Sequence, residues 1–210
     1  MGKPIHIGFF IYPGVTQLDA TGPAQVLSRV PGAVIHMVWK NLDPVPTDAG
    51  FSILPTDSFG SCPDLDVICV PGGRGQSPLM ADAVVLQFLA TQGAQARYVT
   101  SVCGGSLLLG AAGLLNGYRS ACHWAFREML PNFGAEPVAE RTVRDRNRIS
   151  GGGVTAGIDF GLVLAAELAG DEVAKEIQLA LEYDPAPPFD AGSPEKAGPE
   201  LTAKVRAAFA

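Results

Sequence analysis

Between Arg97 and Arg119 lie twenty-one residues, 98–118, without one charged side chain. A run of that kind is buried, and its length approaches that of a membrane span. Glycines, two serines and a threonine interrupt it, which suits a buried strand followed by a buried helix better than a bilayer. Tyr98-Val99-Thr100-Ser101-Val102 reads as the strand, and a helix is predicted from Cys103 to Leu115. A buried strand running into a buried helix is one step of a βαβ rhythm, which implies an α/β fold with a parallel sheet covered on both faces.

The rest of the chain repeats that rhythm. Apolar runs bounded by turn residues predict strands at Ile5–Ile11, Val34–Trp39 and Asp66–Val70, with a short strand or hairpin near 51–55. Amphipathic stretches predict helices near 18–30 and 78–94. Beyond the uncharged run come a short strand at Arg119–Ala121, a short helix at Trp124–Leu130 and a charged hairpin over 138–150 turning at Arg146-Asn147. Helices to about Leu168 and over 171–183 follow. Asp184–Pro199 holds five prolines and two glycines and is expected to be extended, leading into a last amphipathic helix. In such a sheet a ligand belongs at the carboxyl ends of the strands. Three ends carry unusual residues: Pro13-Gly14 through Asp19, Pro71-Gly72-Gly73, and Cys103. They are expected to converge on one pocket.

Cys103 stands where strand turns into helix. Unpaired N–H groups at a helix start favour an anion, so its thiol is expected to be more acidic than a free one and to act as nucleophile. Gly104 and Gly105 permit the sharp turn and close approach to the sulfur. Asp19 is a candidate proton donor beside it, and equally a helix N-cap with Thr21 nearby. The backbone N–H groups of Gly73 and Gly104 are candidates for a hole that stabilises developing charge, with Gly72 turning the chain toward it. Gly151-Gly152-Gly153 precedes a helix but lacks the lysine of a phosphate-binding loop. Thr155 and Asp159 read as cap and packing partners, and His123 as a backbone hydrogen-bonding residue.

Composition excludes several classes. With 47% hydrophobic and 17% charged residues the chain can build a large core, and its net charge of −6 carries no basic block, so neither nucleic acid nor a membrane is an expected partner. Met1-Gly2-Lys3-Pro4 shows no secretory leader, which points to the cytoplasm. Cys62, Cys69, Cys103 and Cys122 form no CxxC pair and only three histidines are present, so no metal and no cofactor are expected. The thiols are expected to be free, Cys69 as inert core.

The Val-Cys-x-Gly-Ser elbow, Pro71-Gly72-Gly73, the Leu-Asp-x-Thr-Gly-Pro run at Asp19, the Gly-Gly-x-Thr-Ala-Gly-Ile-Asp run ending at Asp159, Ala121-Cys122-His123-Trp124 and Pro187–Pro194 together resemble the PfpI-like superfamily, akin to class I glutamine amidotransferases. Within it the resemblance is to the isonitrile hydratases, and it spans essentially the whole chain. It implies a flavodoxin-like three-layer sandwich over residues 1–184 with a nucleophile elbow. Residues 185–210 would form an extended segment and C-terminal helix packed on the same domain. It also implies a hydro-lyase in which Cys103 attacks the terminal carbon of an isocyanide, Asp19 gives a proton and water releases an N-formamide. Val154 would bring its backbone N–H near the sulfur, and the protein would be a homodimer.

One departure stands out. Such proteins commonly carry threonine directly after the cysteine, where this chain has Gly104. Peptidase-like relatives place a histidine there, so peptidase chemistry is disfavoured. Two other readings share the elbow: a ligand-sensing module of the type fused to helix-turn-helix regulators, and a redox-sensing or deglycase-type thiol protein. For the first, the roughly 25 residues after Pro185 are expected to be too few for a fused DNA-binding domain, which leaves a separate sensor. Deglycases carry glutamate where this chain has Asp19.

Overall fold

A computed structural model describes residues 3–209, so Met1, Gly2 and Ala210 lie outside it. The chain opens with β1 (Ile5–Phe10), α1 (Gln17–Leu27) and β2 (Ala33–Trp39), followed by an antiparallel pair β3 (Val45–Pro46) and β4 (Ser52–Ile53) and by β5 (Asp57–Ser58). Next come β6 (Val67–Val70), α2 (Gln76–Leu79), α3 (Ala83–Gln95), β7 (Tyr98–Val102) and α4 (Gly105–Ala111). After β8 (Arg119–Ser120), a 3-10 helix over Arg127–Phe133 and β9 (Glu136–Pro137), the hairpin β10 (Thr142–Asp145) and β11 (Arg148–Gly151) leads to α5 (Ala156–Ala169), α6 (Asp171–Ala180) and α7 (Pro194–Ala207).

Seven strands form the main sheet in the order β10-β11-β7-β6-β1-β2-β5, parallel throughout except for the β10–β11 hairpin at one edge. Helices cover both faces, as parallel strands require. All residues of β6 and β7 are buried, and the Thr100 hydroxyl of β7 donates to the Ile68 carbonyl at 3.0 Å. Helix α1 packs directly on α5, and α3 on α4. The chain runs outward from β1 through β2 to β5, then returns to the other side of β1 to lay down β6 and β7. That reversal between β1 and β6 opens the crevice in which open α/β sheets bind ligands.

Four sequence expectations change at their boundaries. The helix expected over 78–94 is two, because Asp82 caps a fresh start: its Oδ1 accepts from the Val84 and Val85 N–H groups at 3.0 and 3.2 Å. The helix expected from Cys103 begins at Gly105, since Cys103 is left-handed (φ 57°). The helix at Trp124–Leu130 is a 3-10 helix lying further along, over Arg127–Phe133. The segment expected to stay extended to Pro199 turns helical at Pro194, where Ser193 caps Lys196 N–H and proline occupies the first turn; the kink at Gly198 (φ 77°) admits Pro199. The end of α7 lies over the loop that follows β8: Arg206 stacks on Trp124, and Phe209 contacts His123, Trp124 and Phe126.

The strand-to-helix turn after β7 is confined by its neighbour β6. A methyl group at Gly105 would run into the Val70 carbonyl, which belongs to the sheet and cannot yield. Gly105→Ala is therefore expected to cost more than about 3 kcal/mol, read as a lowered urea midpoint of the purified variant.

Candidate active site

Cys103 leaves β7 with its backbone fixed on both sides. Its N–H donates to the Gly151 carbonyl at 3.0 Å and its carbonyl accepts from the His123 N–H at 3.2 Å. These bonds hold a non-glycine residue at φ 57°, a conformation that costs on the order of 1–3 kcal/mol. Behind it, Ser106 in the first turn of α4 bonds the Ser101 hydroxyl at 2.9 Å and the Ala121 carbonyl at 2.6 Å, locking helix to strand. Cys103 lines a cavity of about 550 Å³ at the carboxyl end of the sheet.

Asp19, the third residue of α1, is fully buried. Its Oδ2 accepts from the Gly72 N–H at 2.8 Å, while Oδ1 is buried without a partner. The N-cap alternative is overturned: Thr16 holds the cap position, and the Asp48 carboxylate, from the loop after β3, accepts from the Thr16 hydroxyl (2.8 Å) and the Gln17 N–H (3.3 Å). Asp48 thus stabilises the helix start and leaves Asp19 free of that task. No local pattern around Asp19 reveals this, because the capping group arrives from a segment thirty residues away.

Gly72 is the meeting point. A Cβ there would stand 2.5 Å from the Gly104 nitrogen and 3.1 Å from both Asp19 Oδ2 and Cys103 Cβ, so only glycine lets the three segments touch. The Tyr12 hydroxyl steadies the loop by donating to the Pro71 carbonyl at 3.0 Å. Gly73, Gly104 and Val154 line the cavity with Cys103, whereas Gly72 spends its N–H on Asp19.

The electrostatics correct one expectation. Burial, opposed by the Gly72 bond, lifts the Asp19 carboxyl from 3.8 to about 7. Burial, reinforced by the charge of Asp19, also pushes the Cys103 thiol well above 9.0, although the Gly104 N–H works the other way. The thiol is therefore not acidified by its helix. A seven-residue helix offers a weak dipole, and the loss of water around the sulfur outweighs it. Thiol and carboxyl form a close pair, and near neutral pH a carboxylic acid is present beside the sulfur.

His123 lines the same cavity, but its Nδ1 accepts from the Ala125 N–H at 3.3 Å and burial among Trp124, Phe126 and Phe209 lowers its pKa. It is a neutral backbone-bonded histidine, as read from the sequence. Thr155 stands at the start of α5 without a side-chain cap bond, and its hydroxyl takes a bond from Arg141 at 3.2 Å. Asp159 pairs with Arg141 at 2.6 Å and accepts from the Tyr183 hydroxyl at 3.0 Å. Cys62, Cys69, Cys103 and Cys122 are free thiols, and burial lifts the first, second and fourth to about 12. Among the described residues no cluster of three or more His, Cys, Asp or Glu side chains is placed to hold a metal ion, and no helix is long and apolar enough to cross a membrane. Sequence reasoning missed Gln76, which is 6% exposed and lines the cavity against Gly104. The bare Gly104 was its only signal.

An open, mainly parallel sheet with a strained cysteine elbow and an adjoining buried acid defines a flavodoxin-like thiol protein. The chain belongs to the DJ-1/PfpI family, whose model matches residues 6–167. It is 55% identical over 202 residues to the isonitrile hydratase of Pseudomonas putida, covering 96% of this chain and 89% of that protein. It is 30% identical over 195 residues to the HTH-type transcriptional regulator GbdR of Pseudomonas aeruginosa, covering 87% of this chain but only 52% of the regulator. A crystal structure of a THiJ/PfpI family protein from Pseudomonas syringae superposes with a TM-score of 0.92 at 51% identity, over 99% of this chain and 85% of that one.

The raised Asp19 makes stability depend on pH. Below about pH 4 the carboxyl is protonated folded or unfolded; as pH rises the unfolded chain ionises first, and stability is lost until the folded carboxyl ionises near 7. Asp19→Asn abolishes that loss. By chemical denaturation the variant is expected to match the parent near pH 4 and to exceed it near pH 8 by up to about 4 kcal/mol.

Proposed function

We propose that this protein is an isonitrile hydratase, a hydro-lyase that adds water to R–N≡C and releases R–NH–CHO. The observation that carries the reading is a buried carboxyl, hydrogen-bonded through one oxygen to the Gly72 N–H at 2.8 Å and unpartnered on the other, adjoining a cavity-lining cysteine. The 55% identity to the Pseudomonas putida enzyme over nearly both lengths supports it.

In the first step Cys103 sulfur bonds to the terminal isocyanide carbon, the carbon takes a proton from Asp19, and the thiol's proton replaces it on the carboxylate. The product is a thioimidate, R–N=CH–S–Cys103. An acid with its pKa lifted toward neutrality suits this step, because carbon must gain a proton as the S–C bond forms. In the second step Asp19 gives its proton to the nitrogen, and the carboxylate so formed takes a proton from the water whose oxygen bonds to the same carbon. Collapse breaks the S–C bond as Asp19 gives its proton to the sulfur and takes the one leaving the adduct's hydroxyl, which leaves the formamide, the thiol and the protonated acid. Gly73, Gly104 and Val154 offer backbone N–H groups along the wall, and Gly72 positions the acid. Met80, Leu107, Phe126, Met129 and Phe209 give the cavity an apolar lining suited to a hydrophobic R group. No step uses a metal or cofactor.

The working unit is one domain over residues 1–184 with 185–210 packed upon it, in a cytoplasmic homodimer. Supporting the single unit is Phe209, which reaches from the end of α7 to the wall of the same cavity as Cys103. Sedimentation equilibrium is expected to return twice the mass of the chain.

Purified protein incubated with an aryl isocyanide is expected to produce the N-formamide. Cys103→Ala should yield none, and Asp19→Asn should turn over at least roughly 100-fold more slowly. Formamide from Cys103→Ala at the parent's rate would rule out the covalent route. An inactive parent would favour the ligand-sensing reading.

A further inference from the structure

Gly104 leaves a space that another residue fills. A Cβ on Gly104 would stand 2.5 Å from Gln76 Nε2 and 2.6 Å from Gln76 Oε1, so the carboxamide lies across the bare backbone of the residue following the nucleophile. Gln76 is only 6% exposed, and its Oε1 is buried with no hydrogen-bond partner. Leaving a buried amide oxygen unpartnered is costly, so the group is held ready for something. Its surroundings say what, since Cys103, Gly104 and Gln76 share the wall of one cavity. The Gln76 N–H donates to the Gly73 carbonyl at 3.1 Å, which ties its backbone to the loop that carries Gly72.

The reacting atoms match a carboxamide only after the first bond has formed. An isocyanide nitrogen has no N–H and no free lone pair, so a carboxamide has nothing there to bind. The thioimidate nitrogen has a lone pair, gains negative charge as water adds to carbon, and ends as the N–H of a formamide. A carboxamide can donate to the first form and accept from the last. We infer that Gln76 is the catalytic group that binds the substrate nitrogen during hydrolysis of the thioimidate, in the space that a side chain at position 104 would otherwise take. Nε2–H donates to nitrogen as charge develops there, and Oε1 accepts from the N–H of the tetrahedral adduct and the formamide. Such an interaction stabilises the second transition state and leaves isocyanide binding alone.

The inference rests on hydratase activity, and the test separates the two. With an aryl isocyanide, Gln76→Met, which keeps the volume and removes the hydrogen bonds, is expected to lower kcat roughly 10- to 100-fold. The burst of S–C bond formation persists, and intact-protein mass spectrometry finds Cys103 carrying the added mass of one isocyanide at steady state. Gln76→Glu, unable to donate when ionised, should fall with it above neutral pH. Gly104→Thr in the parent meets the carboxamide and should lose activity, while Gln76→Ala with Gly104→Thr should regain part of it. An active parent whose Gln76→Met variant keeps the parent's kcat, or accumulates no adduct, overturns the role of Gln76 alone. A parent that makes no formamide overturns the hydratase reading and this inference with it.

Discussion

The hydrogen bond from the Gly72 N–H to the Asp19 carboxyl joins the two sides of the sheet's reversal point, and the site depends on it. Asp19 comes from the helix that follows β1, Gly72 from the loop that follows β6, and Cys103 from the elbow after the adjacent β7. Without that bond a fully buried carboxyl would have lost its water and gained nothing. With it, one oxygen is satisfied and the other, without a hydrogen-bond partner, is available for the proton transfer proposed above. Partial compensation is what sets the acid near neutrality. A carboxylate satisfied on both oxygens would titrate too low to donate near pH 7, and one with no partner would resist ionising.

The same economy governs the cysteine. The elbow holds Cys103 in a left-handed turn through two backbone hydrogen bonds, and glycines at 72 and 105 remove the side chains that would collide there. Exposure is kept low, so the thiol is not a surface thiolate awaiting any electrophile. Its ionisation is coupled to the acid beside it and to a reactant able to take a proton. That coupling suits addition to an isocyanide, which needs a nucleophile and a proton at one carbon. It suits peptide hydrolysis poorly, since burial keeps His123 neutral and its Nδ1 accepts a backbone N–H, so it offers the sulfur no charged partner.

Recruitment of distant residues to local tasks recurs in this fold. Asp48 caps α1 across the loop after β3, releasing Asp19 from the helix end. Gln76 from α2 fills the volume left by Gly104. Phe209 closes over the aromatic group at His123 from the far end of the chain. Each exchange trades a short-range feature for a long-range one without moving the sheet, whose interior is set by the apolar strands.

Much of this was written in the chain itself. An uncharged strand-and-helix run demanded a covered parallel sheet, the apolar rhythm placed β1, β2, β6 and β7 within a residue or so, and the cysteine at the strand end marked the elbow. Those signals are local, so the order of residues suffices to read them. The tertiary structure alone decided the ionisation of Cys103, the freeing of Asp19 from the helix cap, the assignment of Gly72's N–H and the presence of Gln76 against Gly104. Each of these is fixed by desolvation or contact between segments far apart in sequence. The energy of a buried charge depends on what surrounds it in space, and sequence spacing does not encode that.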